Sequence, residues 1–197
     1  MEIGSSLELR ITTQGHTELI SIPVGDIART VETLAAERDE SFLSLIRAGV
    51  KAYEYRSRMR GESCPNMNTI HPISVYLLDF PSGLAGLPEY HEYVFANVSD
   101  SGYYLLQSTG HQGPRFFCLD ANRLSFPILP TLREKALRAL ETMQGDASYY
   151  IIASTHDGYV TGNFQAPLAI SLVSGKGKQL ILPEKDLSTQ HRLFPLR

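Results

Sequence analysis

The sequence predicts a mainly β protein, an antiparallel sandwich or barrel with one α-helix, preceded by a small ββαα module. Two observations lead to this fold class. Short apolar segments separated by turn residues recur from residue 73 onward, whereas helical periodicity dominates only before residue 60 and once after residue 130. Apolar residues make up 43% of the 197 residues and charged residues 20%, which is typical of a globular chain that buries a core.

The first sixty residues predict two strands and then two helices. Apolar and polar residues alternate over 7–11 and again over 19–23, and Gln14 and Gly15 between them favour a hairpin turn. Two helical stripes follow, separated by the polar segment 37–40. The first stripe contains Ile27, Val31, Leu34 and Ala35, and the second contains Phe42, Ile46, Val50 and Tyr53.

A domain boundary is predicted after the second helix. That helix ends in the cations Lys51, Arg56, Arg58 and Arg60, which face the negative end of a helix dipole. Residues 61–72 contain Gly, Pro and Asn without periodicity, as a linker does. The predicted division is therefore a module at 1–60, a linker at 61–72 and a β domain at 73–197.

Eight strands and one helix are predicted in the β domain. The helix Thr131–Met143 is the best specified, because Glu134 completes a capping box with Thr131 and Gly145 follows its end. Turn residues separate the strands. The predicted strands are Val75–Phe80, Tyr93–Val98, Tyr103–Gln107, Arg115–Leu119, Tyr149–Ser154, Tyr159–Phe164, Leu168–Val173 and Lys178–Leu182.

No pattern in the sequence specifies a catalytic site, a metal site or a cofactor. The six histidines lack the spacing that places two imidazoles on one metal. Ser154-Thr155-His156-Asp157 is interpreted as the start of an Asp157-Gly158 turn, since triads assemble from separate elements. Gly175-Lys176-Gly177-Lys178 lacks the spacing of a phosphate-binding loop and is interpreted as a hairpin turn. We therefore predict a protein that is not an enzyme.

Charge, cysteine content and hydropathy limit the partners. A net charge of -3 gives no general field for nucleic acid, so nonspecific binding of nucleic acid is disfavoured. No apolar run approaches the roughly 18 residues of a membrane span, and the first residues lack a signal-peptide pattern. We expect a cytoplasmic protein without a membrane partner, with Cys64 as a free thiol in the linker and Cys118 as a free thiol in a core.

The segment FPSGLAGLPEY, residues 80–90, surrounds apolar side chains with glycines and prolines that set the backbone. Phe80, Leu84 and Leu87 are more apolar than an ordinary loop requires. They either cover the end of a barrel, which we favour, or present an apolar surface to a partner.

Four segments of the β domain together resemble the FliW family of bacterial flagellar assembly factors. They are LLDFPSGLAGLPEYHEYVF from Leu77, YLLQS from Tyr104 with the following RFFCLDANRLSFP, TGNFQAPLAIS from Thr161, and GKGKQLILPEKD with the ending RLFPL. The four occur in family order and with family spacing over residues 73–197, and the module at 1–60 is not covered.

The resemblance implies a FliW-like β-barrel that recognises other proteins and does no chemistry. Proteins of the family bind newly made flagellin in the cytoplasm and, when flagellin is absent, the RNA-binding translational repressor CsrA. Such a switch requires only linked binding equilibria. Residue-by-residue carry-over names the expected partner-binding residues as Gln107, Ser108, Asn163, Ala166 and Pro167.

The sequence departs from the family pattern at several positions. An acidic stretch after the LQS segment is replaced by TGHQGP, and Gly86-Leu87, Asp120-Ala121 and Ser171 also differ from the usual residues. A loop that loses acidic residues attracts a basic partner less. These changes therefore bear on CsrA binding more than on the fold.

Two further hypotheses concern the client and the module. The FliW-like domain could regulate another client that the module selects. A strand followed by two helices with a basic end also resembles ribbon-helix-helix proteins, in which strands of a dimer read the major groove. Because residues 17–25 lack Lys and Arg, we favour dimerisation or partner docking by the module over DNA binding.

Overall fold

A closed barrel of seven strands forms the centre of the molecule. The computed structural model describes residues 6–13, 16–23, 26–37, 40–59, 73–99, 102–110, 112–124, 126, 130–140 and 146–196. The strands of these ranges are β1 Ser6–Thr13, β2 His16–Pro23, β3 Ile73–Asp79, β4 Glu92–Ser99, β5 Tyr103–Ser108, β6 Arg115–Asp120, β7 Ser148–His156, β8 Tyr159–Gly162, β9 Leu168–Ser171, β10 Lys176–Gln179 and β11 His191–Pro195. The α-helices are α1 Ile27–Glu37, α2 Glu40–Met59 and α3 Pro130–Leu140.

The barrel runs in the order β3-β4-β5-β6-β7-β9-β10 and closes back onto β3. Closure is a short parallel contact in which Lys176 of β10 pairs with Asp79 of β3. The amide of Asp79 also donates a hydrogen bond to the carbonyl oxygen of Gly175 at 2.7 Å. All the other pairings around the barrel are antiparallel, so the predicted mainly antiparallel fold is confirmed and closure makes it a barrel.

Strand alternation separates two cores on the two faces of the barrel wall. In β4, Tyr93 and Phe95 point into the barrel, and Val94 and Ala96 point outward beneath α2. The interior is filled by aromatic rings, with Phe95 stacked on Tyr104 at 4.7 Å between ring centroids. A third apolar cluster, which includes residues of α3, β7 and β9, lies beneath α3.

The N-terminal hairpin extends the sheet of the barrel. β1 and β2 pair antiparallel as predicted, and β1 also pairs parallel with β3, where Leu9 faces Ile73. α2 packs over the outer wall formed by β3, β4 and β5, so the module and the barrel share one apolar core. Gly49 of α2 permits this approach, because a Cβ there would lie 2.7 Å from the Leu9 side chain.

Strand ends differ from the sequence expectations where tertiary contacts compete with the apolar pattern. β9 ends at Ser171 because residues 172–175 form the hairpin loop, and Gly175 has a φ of 67°. β10 begins at Lys176, two residues earlier than predicted, where it pairs with β9 and β3. Strand β11 was not predicted, and it forms by pairing with β8. The predicted linker at 61–72 lies outside the described residues.

Candidate partner-binding site

The five residues expected at a partner surface lie at two places on the barrel. Gln107 and Ser108 are the last two residues of β5, beside the loop that leads to β6. Asn163, Ala166 and Pro167 lie in the connection between β8 and β9. Ser108, Ala166 and Pro167 are buried, and Gln107 and Asn163 are partly exposed. Of the five, only Gln107 and Asn163 therefore offer appreciable side-chain surface to a partner.

The side chain of Gln107 is held by its neighbour across the strand pair. Arg115 Nε donates a hydrogen bond to Gln107 Oε1 at 3.0 Å. Within the described part of the chain, the Nε2 group of Gln107 has no hydrogen-bond acceptor. Gln107 therefore presents amide hydrogens to a partner that approaches the end of β5.

Ser108 organises the turn that follows β5. Its Oγ accepts a hydrogen bond from the amide of Gly110 at 3.1 Å. Gly113 packs directly on it, because a Cβ at Gly113 would lie 2.6 Å from Ser108 Oγ. Gln112 adopts a φ of 61°, in the left-handed region that such a tight turn requires. Buried Ser108 thus fixes the backbone of the turn next to Gln107.

A groove of about 420 Å³ lies between this turn and helix α2. Helix α2 contributes Ser44 and Arg47, and the barrel contributes Val94 as well as the end of β5. The remaining lining residues are Gln107, Ser108, Thr109, Gly110 and Gln112. The two expected residues at the end of β5 therefore share this groove with the N-terminal module.

The second location is a braced turn of the backbone. Asn163 Oδ1 accepts a hydrogen bond from the amide of Ala166 at 3.0 Å, which explains an asparagine at this position by local structure. The carbonyl oxygen of Pro167 accepts from the amide of Leu180 at 2.9 Å. These contacts position the connection between β8 and β9, and a role in partner binding there stays a prediction.

Sequence reasoning did not identify Ser44, Arg47 or Gln179 as residues of interest. The Gln179 side chain joins the segment 80–90 to the β8–β9 connection, since its Oε1 accepts from Ala85 N and its Nε2 donates to Ala166 O. Helical periodicity placed residues 44 and 47 on the polar part of α2, but no local signal indicates which barrel strands the helix meets.

The segment 80–90 covers the barrel core, as favoured from the sequence. Phe80 and Leu84 are buried in the interior cluster, and Leu87 packs against that cluster. The Asp157-Gly158 turn is also confirmed, because both residues have positive φ in a two-residue connection between β7 and β8. None of the helices in the described ranges combines the length and the apolar character that a membrane-spanning helix needs.

Cys118 lies in the barrel core, as predicted, and it is a free thiol. Burial raises the pKa of the Cys118 thiol far above its usual value. The thiolate is the nucleophilic form, so this side chain is unreactive at neutral pH. Cys64 lies outside the described residues.

A family model and a solved structure both match the β domain of this chain. The family model described as FliW protein matches residues 65–193. The chain belongs to the FliW family. A crystal structure of the flagellar assembly factor FliW superposes with a TM-score of 0.53 and 29% sequence identity, covering 60% of this chain and 86% of that one.

Two FliW relatives show how the match is distributed. The flagellar assembly factor FliW of Geobacillus thermodenitrificans is 30% identical over 126 residues, which cover 60% of this chain and 85% of the relative. That of Leptospira biflexa is 28% identical over 131 residues, which cover 64% of this chain and 86% of the relative. The matches therefore span most of each relative, whereas the whole N-terminal module, residues 1–60, lies before the region that the FliW family model matches.

Proposed function

We propose that this chain is a non-enzymatic flagellar assembly factor that binds flagellin and a CsrA-type RNA-binding translational repressor in the cytoplasm. Membership of the FliW family over residues 65–193 carries the proposal. The interior of the barrel supports it, because aromatic side chains fill the space in which a small substrate would otherwise bind.

Linked binding equilibria are sufficient for this role. Flagellin and the repressor draw on the same pool of the assembly factor, so export of flagellin releases the factor to bind the repressor. If the complex with the factor has a lower affinity for the flagellin message, translation resumes when flagellin leaves the cell. Flagellin supply is then coupled to flagellin translation without a chemical step.

Isothermal titration calorimetry of the full chain tests this proposal. Purified flagellin and a purified CsrA-type protein are titrated separately, and the repressor is then titrated into the preformed flagellin complex. We expect saturable binding of each protein, with less repressor bound once flagellin is present. Binding of neither protein would refute the proposal.

Variants of Gln107 test where the partner binds. Gln107→Ala removes amide donors at the end of β5, and Gln190→Ala is the matched control on an exposed glutamine elsewhere. We expect the Gln107 variant to bind flagellin or the CsrA-type protein more weakly, and the Gln190 variant to bind both as the original chain does. Equal binding by both variants would remove Gln107 from the partner surface.

One observation favours a second candidate, a FliW-like domain that regulates another client. Helix α2 covers the outer wall of β3–β5, although the region that the FliW family model matches begins only at residue 65. In that case the module selects the client, and the calorimetry shows no affinity for flagellin. Reading of DNA by the module stays the least favoured hypothesis, and a steep salt dependence of duplex binding would support it.

A further inference from the structure

The groove between α2 and the end of β5 is built from both parts of the chain. We propose that it binds an acidic peptide segment of the client protein, and that Arg47 of the N-terminal module pairs with a carboxylate of that segment. The inference rests on the proposed function and deepens it, because it states which chemistry of the client is recognised.

The polar side chains that line the groove are neutral or cationic, and each of them carries a hydrogen-bond donor. Arg47 carries a guanidinium with five N–H donors, so a contact that it already makes leaves others for a ligand. Gln107 has its acceptor oxygen occupied by Arg115 and its amide hydrogens available. Gln112 adds an exposed carboxamide. No Asp or Glu is among the described residues that line the groove. A carboxylate, which only accepts hydrogen bonds, is therefore the complementary group.

The lining also includes an apolar side chain, Val94 of β4. The amides of Thr109 and Gly110 already donate to Glu92 O and Ser108 Oγ, and the Thr109 hydroxyl donates to Glu92 Oε2 at 3.4 Å. A ligand carboxylate in the groove would therefore be bound by side chains, chiefly those of Arg47, Gln107 and Gln112.

The charges nearby argue against a nucleic acid in the same place. Glu92 lies next to the groove, and the whole chain carries a net charge of -3. A phosphodiester chain repeats its negative charge at short intervals and needs several cations in a row. A groove with a single guanidinium in its described lining suits one acidic side chain better than such a polyanion.

Charge reversal on α2 tests the inference with flagellin as the ligand. Arg47→Glu is compared with Arg29→Glu, which makes the same charge change on α1, where the side chain is 82% exposed. We expect Arg47→Glu to weaken flagellin binding by about 10-fold, as loss of a charged hydrogen bond does, and Arg29→Glu to leave it unchanged. Equal affinities for the two variants would overturn the inference while the proposed function stands.

A second measurement keeps the inference testable if flagellin does not bind at all. Acetyl-Leu-Glu-Leu-amide and its neutral counterpart acetyl-Leu-Gln-Leu-amide are titrated into the ¹⁵N-labelled full chain, and the amide signals of Thr109, Gly110 and Gln112 are followed by NMR. We expect saturable shifts with the acidic peptide, weaker ones with the neutral peptide, and loss of the difference in Arg47→Glu. Equal shifts with both peptides, or shifts with a short polyuridine oligonucleotide alone, would overturn it.

Discussion

The side chain of Gln179 is bonded to the backbone of Ala85, its Oε1 accepting the amide hydrogen at 2.7 Å across 94 positions of the chain. The same carboxamide donates from Nε2 to the carbonyl oxygen of Ala166 at 3.2 Å. One side chain on β10 therefore holds both the segment that covers the barrel and the connection between β8 and β9.

Replacement of Gln179 tests how much this double contact contributes. We expect Gln179→Ala to lower the free energy of unfolding by about 1–3 kcal/mol, because two backbone groups lose their partner. Urea denaturation measures the loss, and hydrogen exchange of Ala85 N–H should accelerate. The control Gln190→Ala, at an exposed glutamine, should change neither quantity. Unchanged exchange at Ala85 would contradict the bracing role.

Gly177 and Phe80 make a second close contact inside the barrel. A Cβ at position 177 would overlap the Phe80 ring, so Gly177→Ala should destabilise the fold by about 1–3 kcal/mol through overpacking. Phe80→Leu alone should also destabilise, by leaving a void. In the double variant the smaller side chain makes room for the methyl group. The double variant should therefore lose less stability than the sum of the losses of the two single variants. Strict additivity in urea denaturation would show that the ring is not the obstacle.

The shared core predicts that the module and the barrel unfold together. Leu9 of β1, Ile46 of α2 and Val94 of β4 belong to one buried cluster. Far-ultraviolet circular dichroism follows the helices, and near-ultraviolet dichroism follows the tyrosines, since the chain has 10 Tyr and no Trp. We expect the two signals to have the same urea midpoint. In Ile46→Ala both midpoints should move to lower urea together, with a loss of about 2–4 kcal/mol in the free energy of unfolding. Separate midpoints would instead support independent domains on either side of residues 61–72.

Buried tyrosines predict a loss of stability at alkaline pH. Burial, with a smaller contribution from Glu89, raises the pKa of Tyr93 from 10.0 to about 12. Between these values the unfolded chain loses the proton and the folded chain keeps it, so the free energy of unfolding falls as pH rises. Burial also raises the pKa values of Tyr104 and Tyr150, which contribute with the same sign. Urea denaturation across this range measures the slope.

The variant Tyr93→Phe isolates the contribution of Tyr93. Its hydroxyl is buried without a hydrogen-bond partner among the described residues, so we expect removal to raise stability by about 1 kcal/mol at neutral pH. The variant should also show a shallower decline above pH 10. Tyr150→Phe is the matched control, because its hydroxyl is hydrogen-bonded to Tyr104 and its loss should destabilise. Destabilisation by both variants would show that Tyr93 has a partner in solution.

Dimerisation through the N-terminal module is a further prediction. β2 is the last strand of the sheet order, and Leu19 on it is 62% exposed. Among the described strands, none pairs with the outer edge of β2, and such an edge pairs with another strand unless charge prevents it. Light scattering after size exclusion should show a mass that rises with concentration, and Leu19→Lys should keep the chain monomeric. A constant monomer mass would exclude the dimer.

Local patterns were enough to predict most individual elements. Alternation over 7–11 and 19–23 predicted the N-terminal hairpin, and the stripe of Leu132, Ala136 and Leu140 predicted the buried face of α3. These features depend on residues close in sequence, whose spacing directly determines which side chains share a face. The motifs between Leu77 and Leu196 were equally local, so the FliW family could be identified from them.

Contacts between distant parts of the chain decided how these elements are arranged. The local sequence pattern does not indicate which distant segments pair. The pairing of Lys176 with Asp79 closes the barrel, and the pairing of Leu9 with Ile73 joins the module to it. Neither pairing follows from hydropathy, because which strands become neighbours depends on how the two faces of the complete sheet pack against α2 and into the barrel interior. Arg47 and Gln107 line one groove because α2 packs over β3, β4 and β5, so the candidate groove became visible only in the folded chain.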